Sequence, residues 1–486
     1  MADIYWKRAV SAMFGKAGAW MGGSLPGPVD DAILEASGAA YTVTSSRTET
    51  VNSIQLAANA TLNITAHNFT AIAGTGTGAN AGTIGIYGTA VLSIGGTMDN
   101  SGVISLNNTG SSEATATTLI FASNTTLTGG GSIELSNSFY NNIIGNGTIL
   151  TNVDNFISGA GTIGSTKLGL TLVNDAGGVI DGTGTSGNDN FLIGPLGGRG
   201  GFVTNNGLIE GTGAGGLSFE KMIIDGSSGM ILAGSGSSVS FGACTVTGQS
   251  ITSQAGGNVA IFNSTVLTTT VATNGGHINV YSGHFEMDGG VNNSGIMIVH
   301  SGILTIGAAV TGAGYTLIYG GKLECDSSFN QNVVFGSSNG TGTLLLGQSR
   351  GYTGDISGFS ATGASTLDLR DIGFASAGEA SFSGTSSSGV LTVTDGTHTA
   401  HINLFGDYLS SHFVASTDSH GGAIIVAEAG APAASPAKPA TVAAQSTHSL
   451  VQALASLTGA SAATPFAADH HDAVKLLLAA PRMAIA

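Results

Sequence analysis

From about residue 50 to residue 425 the apolar and polar positions follow one loosely repeated phrase, a short run rich in Val, Ile or Leu and then Asn-Gly, Ser-Gly or Gly-Gly. It reads MDNSGVISL from Met98, VNDAGGVIDG from Val173, VTNNGLIEG from Val203, TNGGHINV from Thr273 and VNNSGIMIV from Val291. A second form, GNGTIL from Gly145 and GAGTIG from Gly159, uses the same device. Gly and Asn accept the left-handed backbone of a tight corner, and the β-branched triplet that follows suits a pleated, stacked strand. One such unit cannot bury its apolar face alone, so many must stack. The pattern predicts an all-β chain folded as a right-handed parallel β-helix, a β-solenoid of about 17–20 coils with ~20 residues each, in a rod on the order of 90 Å long. A sandwich or barrel would need paired hairpins at more regular spacing.

The two ends depart from this pattern. Residues 3–20 carry Ile4, Trp6, Val10, Met13 and Phe14 at helical spacing, with Lys7, Arg8 and Lys16 between them, and predict an amphipathic helix that caps the solenoid. Gly22, Gly23, Pro26 and Pro28 end it. The divisions expected are an N-terminal helix and cap over 1–40, the solenoid over 41–428, a Pro/Ala-rich linker over 429–445 and a helical tail over 446–486, where Leu450, Leu454 and Leu457 form one stripe and DHHDAVKLLLAA from Asp469 another.

Composition narrows the function classes. With 42% hydrophobic residues, 9% charged residues and 78 glycines, the chain has a large core in glycine-punctuated form and is not of disordered type. A net charge of −16 leaves no basic footprint for nucleic acid or an anionic membrane. The only two cysteines, Cys244 and Cys325, exclude a disulfide-stapled scaffold; coil spacing sets them ~19 Å apart, so both are expected reduced and buried. The opening MADIYWKRAVSAMFGKAGAW lacks the apolar core and cleavage site of a secretory leader, and no run of 18 apolar residues spans a membrane. Export, if it occurs, is expected without a cleaved N-terminal signal.

The body resembles the bacterial extracellular β-strand-repeat proteins, whose repeats resemble autotransporter and adhesin passenger domains. GAWMGGSLPGPVDDAIL followed by YTVTSSRTETVNSIQLAANATLNIT is similar to their opening module, and GDISGFSATGASTLDLRDIGF with SSGVLTVTDGTHTAHINLFGDYLSSHFVASTDSHGGAIIV resembles their closing one. The chain departs from autotransporters in having no C-terminal outer-membrane barrel, and from calcium-binding arrays in having no Gly-Gly-x-Gly-x-Asp nonapeptides. The resemblance implies a type I-secreted protein whose export signal is the segment from Thr441 to Ala486; the other reading of that segment is a cap or a docking element.

Candidate chemistry is sparse. Asp395, His398, His401, Asp407, His412, Asp418 and His420 supply imidazoles and carboxylates for a divalent metal, but at no recognised ligand spacing, and surface or coil-end roles are the simpler reading. His284, Glu286 and Asp288 share one strand face and offer an acid/base pair for glycan cleavage, though outward charge also blocks lateral aggregation. The Gly-rich turns at Arg199 and Gly182 precede no helix, so they predict no phosphate site. His470-His471 reads as solvated, and the sequons at Asn59 and Asn124 as chance. No cofactor or metal is expected. The function expected is a secreted structural or adhesive protein, not an enzyme, which self-assembles into a fibre, surface layer or biofilm matrix; the alternative is a carbohydrate-active or glycan-binding β-helix. Its expected partners are its own copies and cell-surface polysaccharide, and Trp6, Phe14, Trp20, Leu454, Leu476 and Leu477 are the residues expected to serve assembly.

Overall fold

A computed structural model describes residues 2–429, apart from 146, 166–167, 198, 227 and 337–339. Each turn of chain lays strands on three parallel ladders, and the result is a β-solenoid of about 15 turns, a rod of ~70 Å at the usual strand spacing. Ladder I stacks 14 strands from Ala12–Met13 to Val310–Thr311. Ladder II runs from Glu49–Val51 to Thr399–Phe405. Ladder III opens with Asp3–Tyr5, Asp31–Leu34 and Ser53–Leu56, passes through the bridged residues Asn80 and Asn100, and ends at Ser365–Leu369. The long strands Val91–Asp99 and Thr117–Thr128 wrap a corner and serve ladders II and III together; the register breaks between Ile94 and Gly96, where Gly96 takes φ 70°.

Coils are fewer than the sequence suggests because their length varies. Asn274 stands 19 residues below its counterpart Asn293, whereas Asn174 stands 31 residues below Asn205. The longer coils extrude their surplus as corner loops and leave the ladders in register.

The core is a set of aliphatic columns. In ladder I, Val43, Leu62, Ile84, Ile104, Ile133 and Ile157 stack in register and continue through Ile180, Ile209, Ile231 and Ile251, all fully buried. Each such side chain contributes roughly 1.5–3 kcal/mol by burial, and stacking like on like keeps every coil the same width.

The repeated phrase has a different physical basis from the one its turn residues suggest. Asn100, Asn174, Asn205, Asn274 and Asn293 do not adopt positive φ; their side chains point inward and are fully buried. Each amide donates to the Oδ1 of the next one up. Asn80 bonds Asn100 at 2.7 Å, Asn152 bonds Asn174 at 2.9 Å and Asn174 bonds Asn205 at 3.0 Å, all at the corner from ladder III to ladder I. A second column at the corner from ladder I to ladder II joins Asn274 to Asn293 at 2.7 Å. The same Nδ2 groups also reach strand carbonyls of the coil above, as Asn174 does to Leu208, Asn205 to Met230 and Asn274 to Ile296.

Where a coil has glycine in place of the amide, a residue from higher up reaches past it. Gln249 Oε1 accepts from Asn205 at 2.8 Å across Gly226, and Gln331 Oε1 accepts from Asn293 at 2.7 Å across Gly312. Asn155 Oδ1 accepts from Asn100 at 2.8 Å, likewise across Gly129. A Cβ on Gly226 would lie 1.9 Å from the Asn205 carbonyl oxygen, so only glycine fits there.

Both ends are closed. The N-terminal cap is not a helix: Asp3–Tyr5 and Ala12–Met13 pair in parallel with the next coil, and 3-10 turns at Ala17–Ala19 and Met21–Gly23 follow. Extended chain pairs the otherwise open backbone edge, which a helix cannot do, and Gly15 and Gly18 weaken the helical alternative further. Residues 2–40 therefore open the ladders with strands where a helix was expected. At the far end Ala380–Gly384, Ser388–Thr394 and Thr399–Phe405 form an antiparallel meander, and Ser411–Thr417 pairs antiparallel with Ala423–Ala429. The expected linker beyond Ala429 and the helical tail lie outside the described residues.

The amide columns run one way, so each has an orphan acceptor at its foot. Asn274 Oδ1 has no partner, and the residue below it, Ser253, has an unpartnered Oγ too short to bridge. Ser253→Asn is expected to extend the column and raise stability by about 1 kcal/mol, read as a higher denaturation midpoint; a lowered midpoint would contradict the directional column.

Candidate functional site

The residues expected to serve assembly at the N-terminus form the plug of the first coil. Trp6 packs edge-on against Trp20 at 4.9 Å, Phe14 against Trp20 at 5.0 Å and Phe14 against Phe69 at 5.2 Å. All three rings are buried, and Trp20 Nε1 donates to the Phe14 carbonyl at 2.8 Å. What this end presents to solvent is instead Tyr5, Val10, Met13, Met21 and Val29, with Lys7, Arg8 and Lys16. Leu454, Leu476, Leu477 and the His470-His471 pair lie outside the described residues.

The cluster expected over residues 395–420 does not converge. Asp395 clamps a turn: its carboxylate accepts the backbone N–H groups of Thr397, His398 and Gly373 and stands 2.9 Å from His398 Nδ1. The backbone and imidazole of His398 hold that carboxyl well below its ordinary range. Asp418 performs the same service for His420 and Gly422, and Asp407 for Leu409. His401 meets Thr392, and His412 lies exposed on its strand. Among the described residues no three His, Cys, Asp or Glu side chains gather to hold a metal ion.

On ladder III, His284 and Glu286 do share the outer face, and His284 Nε2 lies 2.9 Å from Thr305 Oγ1 of the next coil; Asp288 follows the strand at a corner. Arg199 is exposed, as are Asn59 Nδ2's carbonyl partners around Gly38, and Asn124 is exposed at a corner. Cys244 and Cys325 are buried free thiols, and burial pushes Cys244 up to about 12 and Cys325 well above its usual value.

Two arrangements emerge only from the register. Asp181 and Glu210 are direct neighbours on adjacent coils of ladder I. Burial raises both carboxyls, and the Asp181 charge adds to the rise at Glu210. Both oxygens of Asp181 are engaged by the Thr212 hydroxyl, at 2.9 and 2.8 Å, so this carboxylate anchors a loop. The second is an outer row one ring per coil, Phe262, Tyr281, His300 and Tyr319, stacked face to face at 4.6, 4.2 and 5.4 Å. Gly242 sits in register below Phe262, and Gly336 lies against the Tyr319 ring, so the row has a defined start and end. A shallow cleft of about 250 Å³ between Gly312–Gly314 and Asn330–Asn332 is lined by no ionisable group.

No protein-family model matches the chain, and no match is found among curated proteins or solved structures. No helix among the described residues is long and apolar enough to cross a membrane.

The aromatic row carries a pH dependence. Burial lowers the pKa of His300, and of His277 as well, so the fold favours neutral imidazole while the unfolded chain takes up its proton near pH ~6.5. Where the unfolded state binds more protons, stability falls as pH falls. His300→Phe keeps the stack and removes that protonation. It is expected to lose less melting temperature than the parent between about pH 7.5 and about pH 5; an equal loss would clear His300 of the effect.

Proposed function

We propose that this protein is a structural and adhesive rod of the cell exterior that acts by contact between copies and is not an enzyme. The observation that carries the reading is how its polar chemistry is used. The carboxylates with the strongest local networks, Asp181, Asp395 and Asp418, clamp loops and turns, and the buried amides hold corners. What is left outside is repetitive and poor in charge: rows of like side chains at one-coil spacing, on a chain with 9% charged residues.

A long, closed, repetitive rod suits spacing and repeated contact better than turnover, which needs convergent groups in a dry pocket. The likeness of its opening and closing segments to extracellular adhesin-type repeat proteins supports the same reading, as does the acidic balance of the chain.

Electron microscopy of the purified full chain, with light scattering alongside, tests this. Filaments, sheets or large regular assemblies are expected. A monodisperse monomer at all concentrations, or a preparation that cleaves polysaccharide, would overturn it.

A further inference from the structure

Ladder II carries an outer face without charge. Its strands Ser238–Gly242, Asn258–Phe262, His277–Val280, Ile296–Val299, Tyr315–Ile318 and Asn332–Phe335 stack in parallel. Neither these strands nor the short corners Gly275-Gly276, Ser294-Gly295 and Ala313-Gly314 that lead into them contain Asp, Glu, Lys or Arg. Alternate side chains of a strand turn outward, and toward the top of this face they become apolar: Ile296, Ile298, Tyr315, Leu317 and Val334, each half-exposed. On a chain of net charge −16 such a face stands out.

The two edges of the face differ in height. Where the strands end, the stacked rings of Phe262, Tyr281, His300 and Tyr319 form a ridge. The ridge is tied to the face, because His300 Nε2 lies 3.2 Å from Asn279 Oδ1 and Asn279 donates to Asn258 Oδ1 at 2.6 Å. Its last ring, Tyr319, is 40% exposed. Where the strands begin, the corner is low. A Cβ on Gly276 or Gly295 would lie 2.3 or 2.1 Å from a carbonyl oxygen of the coil below, so close stacking keeps side chains off this edge. At its top the edge opens into the cleft of about 250 Å³ beside Ala313 and Gly314. The cleft and Tyr319 thus stand at opposite ends of one strand, Tyr315–Ile318.

We propose that two copies pack side by side through this face, parallel and in register, with the ring ridge of each in the glycine-edged trough of the other and Tyr319 of each in the other's cleft. A two-fold axis along the rod exchanges the two edges at equal height, so ridge meets trough; a two-fold across the rod would set ridge against ridge. A second copy is the partner whose trough repeats at the same coil spacing as the ridge. The area suffices as well: six coils at ~4.8 Å, across a face of ~25 Å with both corners, give ~700 Å² per partner, close to the ~800 Å² that each partner gives to a stable interface. Exposed apolar faces mark contact surfaces, and with no charge on either side the contact leaves no ion unpaired as it excludes water. It is isologous and closes on itself, so it makes a pair from which a larger assembly is built. This rests on the self-assembly reading above and names the face that carries it.

The test uses the full chain. In sedimentation the parent is expected to form dimers or multiples of them, and more tightly as salt rises, because salt screens the repulsion between two chains of charge −16 while the contact itself holds no charge. Ile298→Glu with Leu317→Glu puts unpaired charges into the contact and is expected to weaken association about 100-fold or more. Circular dichroism should show its β content unchanged, since both side chains face outward. Orientation is read separately with a short bis-maleimide on two single variants, Ala313→Cys and Tyr319→Cys; the native Cys244 and Cys325 are buried and spared. Neither variant is expected to cross-link alone. An equimolar mixture, combined dilute and then concentrated, is expected to do so, because position 313 of one copy meets position 319 of the other. Cross-linking of Tyr319→Cys alone, or none from the mixture, would overturn the parallel contact. If the parent self-associates and the double glutamate variant does so equally well, self-assembly stands and this face falls. If the parent is a monomer at all concentrations, both fall, and the face is left to a glycan or another protein.

Discussion

The stack depends on the hydrogen bond passed from one buried asparagine amide to the next. A solenoid corner must turn the chain while the backbone groups of the strand ends point inward, away from water. Leaving a buried amide unpaired costs on the order of 1–3 kcal/mol, so the corner is stable only if each coil supplies a partner to its neighbour. The columns from Asn80 to Gln249 and from Asn274 to Gln331 do this: Asn80, Asn152, Asn174, Asn205, Asn274 and Asn293 donate toward the coil above, and the glutamines that end the columns donate back to carbonyls of the coils below. The aliphatic columns supply the bulk of the burial. The amides fix which residue sits at each corner, hence the register of all three ladders. They also explain the glycines at 226 and 312, where a longer Gln reaches across a coil that has no side chain to offer.

Much of this was legible in the chain, and the gaps have physical causes. The repeat is visible because Val, Ile and Leu triplets recur after a corner, and the inward members of those triplets, Ile104 among them, are fully buried. The corner asparagines were visible too, but their residue type points equally to a positive-φ turn and to a buried amide. Only the absence of positive φ at Asn174 or Asn205, together with their burial, decides between them. The N-terminal helix failed because a 3.6-residue pattern of apolar side chains says nothing of the open ladder edge at Asp31–Leu34, which rewards extended pairing. The aromatic row was hidden by its spacing: Tyr281, His300 and Tyr319 are unremarkable in sequence and meet only once coils of 19 residues stack in register.

The same register shapes the outside. Strands that repeat at one-coil spacing convert single side chains into surface rows, as with Phe262, Tyr281, His300 and Tyr319, whereas groups that lie outside the repeat are not brought together by it. The histidines and aspartates over 395–420 show the consequence, since they are drawn into separate turns of an antiparallel cap that has left the three-ladder repeat. That cap and the aromatic plug close the two ends differently, and this makes the two ends of the solenoid unlike.

The most direct measurement of the amide column is a double-mutant cycle on Asn174 and Asn205, with each changed to Ala alone and both together, and stability read by urea unfolding. If the amides act as a chain, the pair should show a coupling of about 1 kcal/mol or more, within the range found for contacting buried groups. Additive losses, with no coupling between the two sites, would contradict the claim that the bond between them sets the corner.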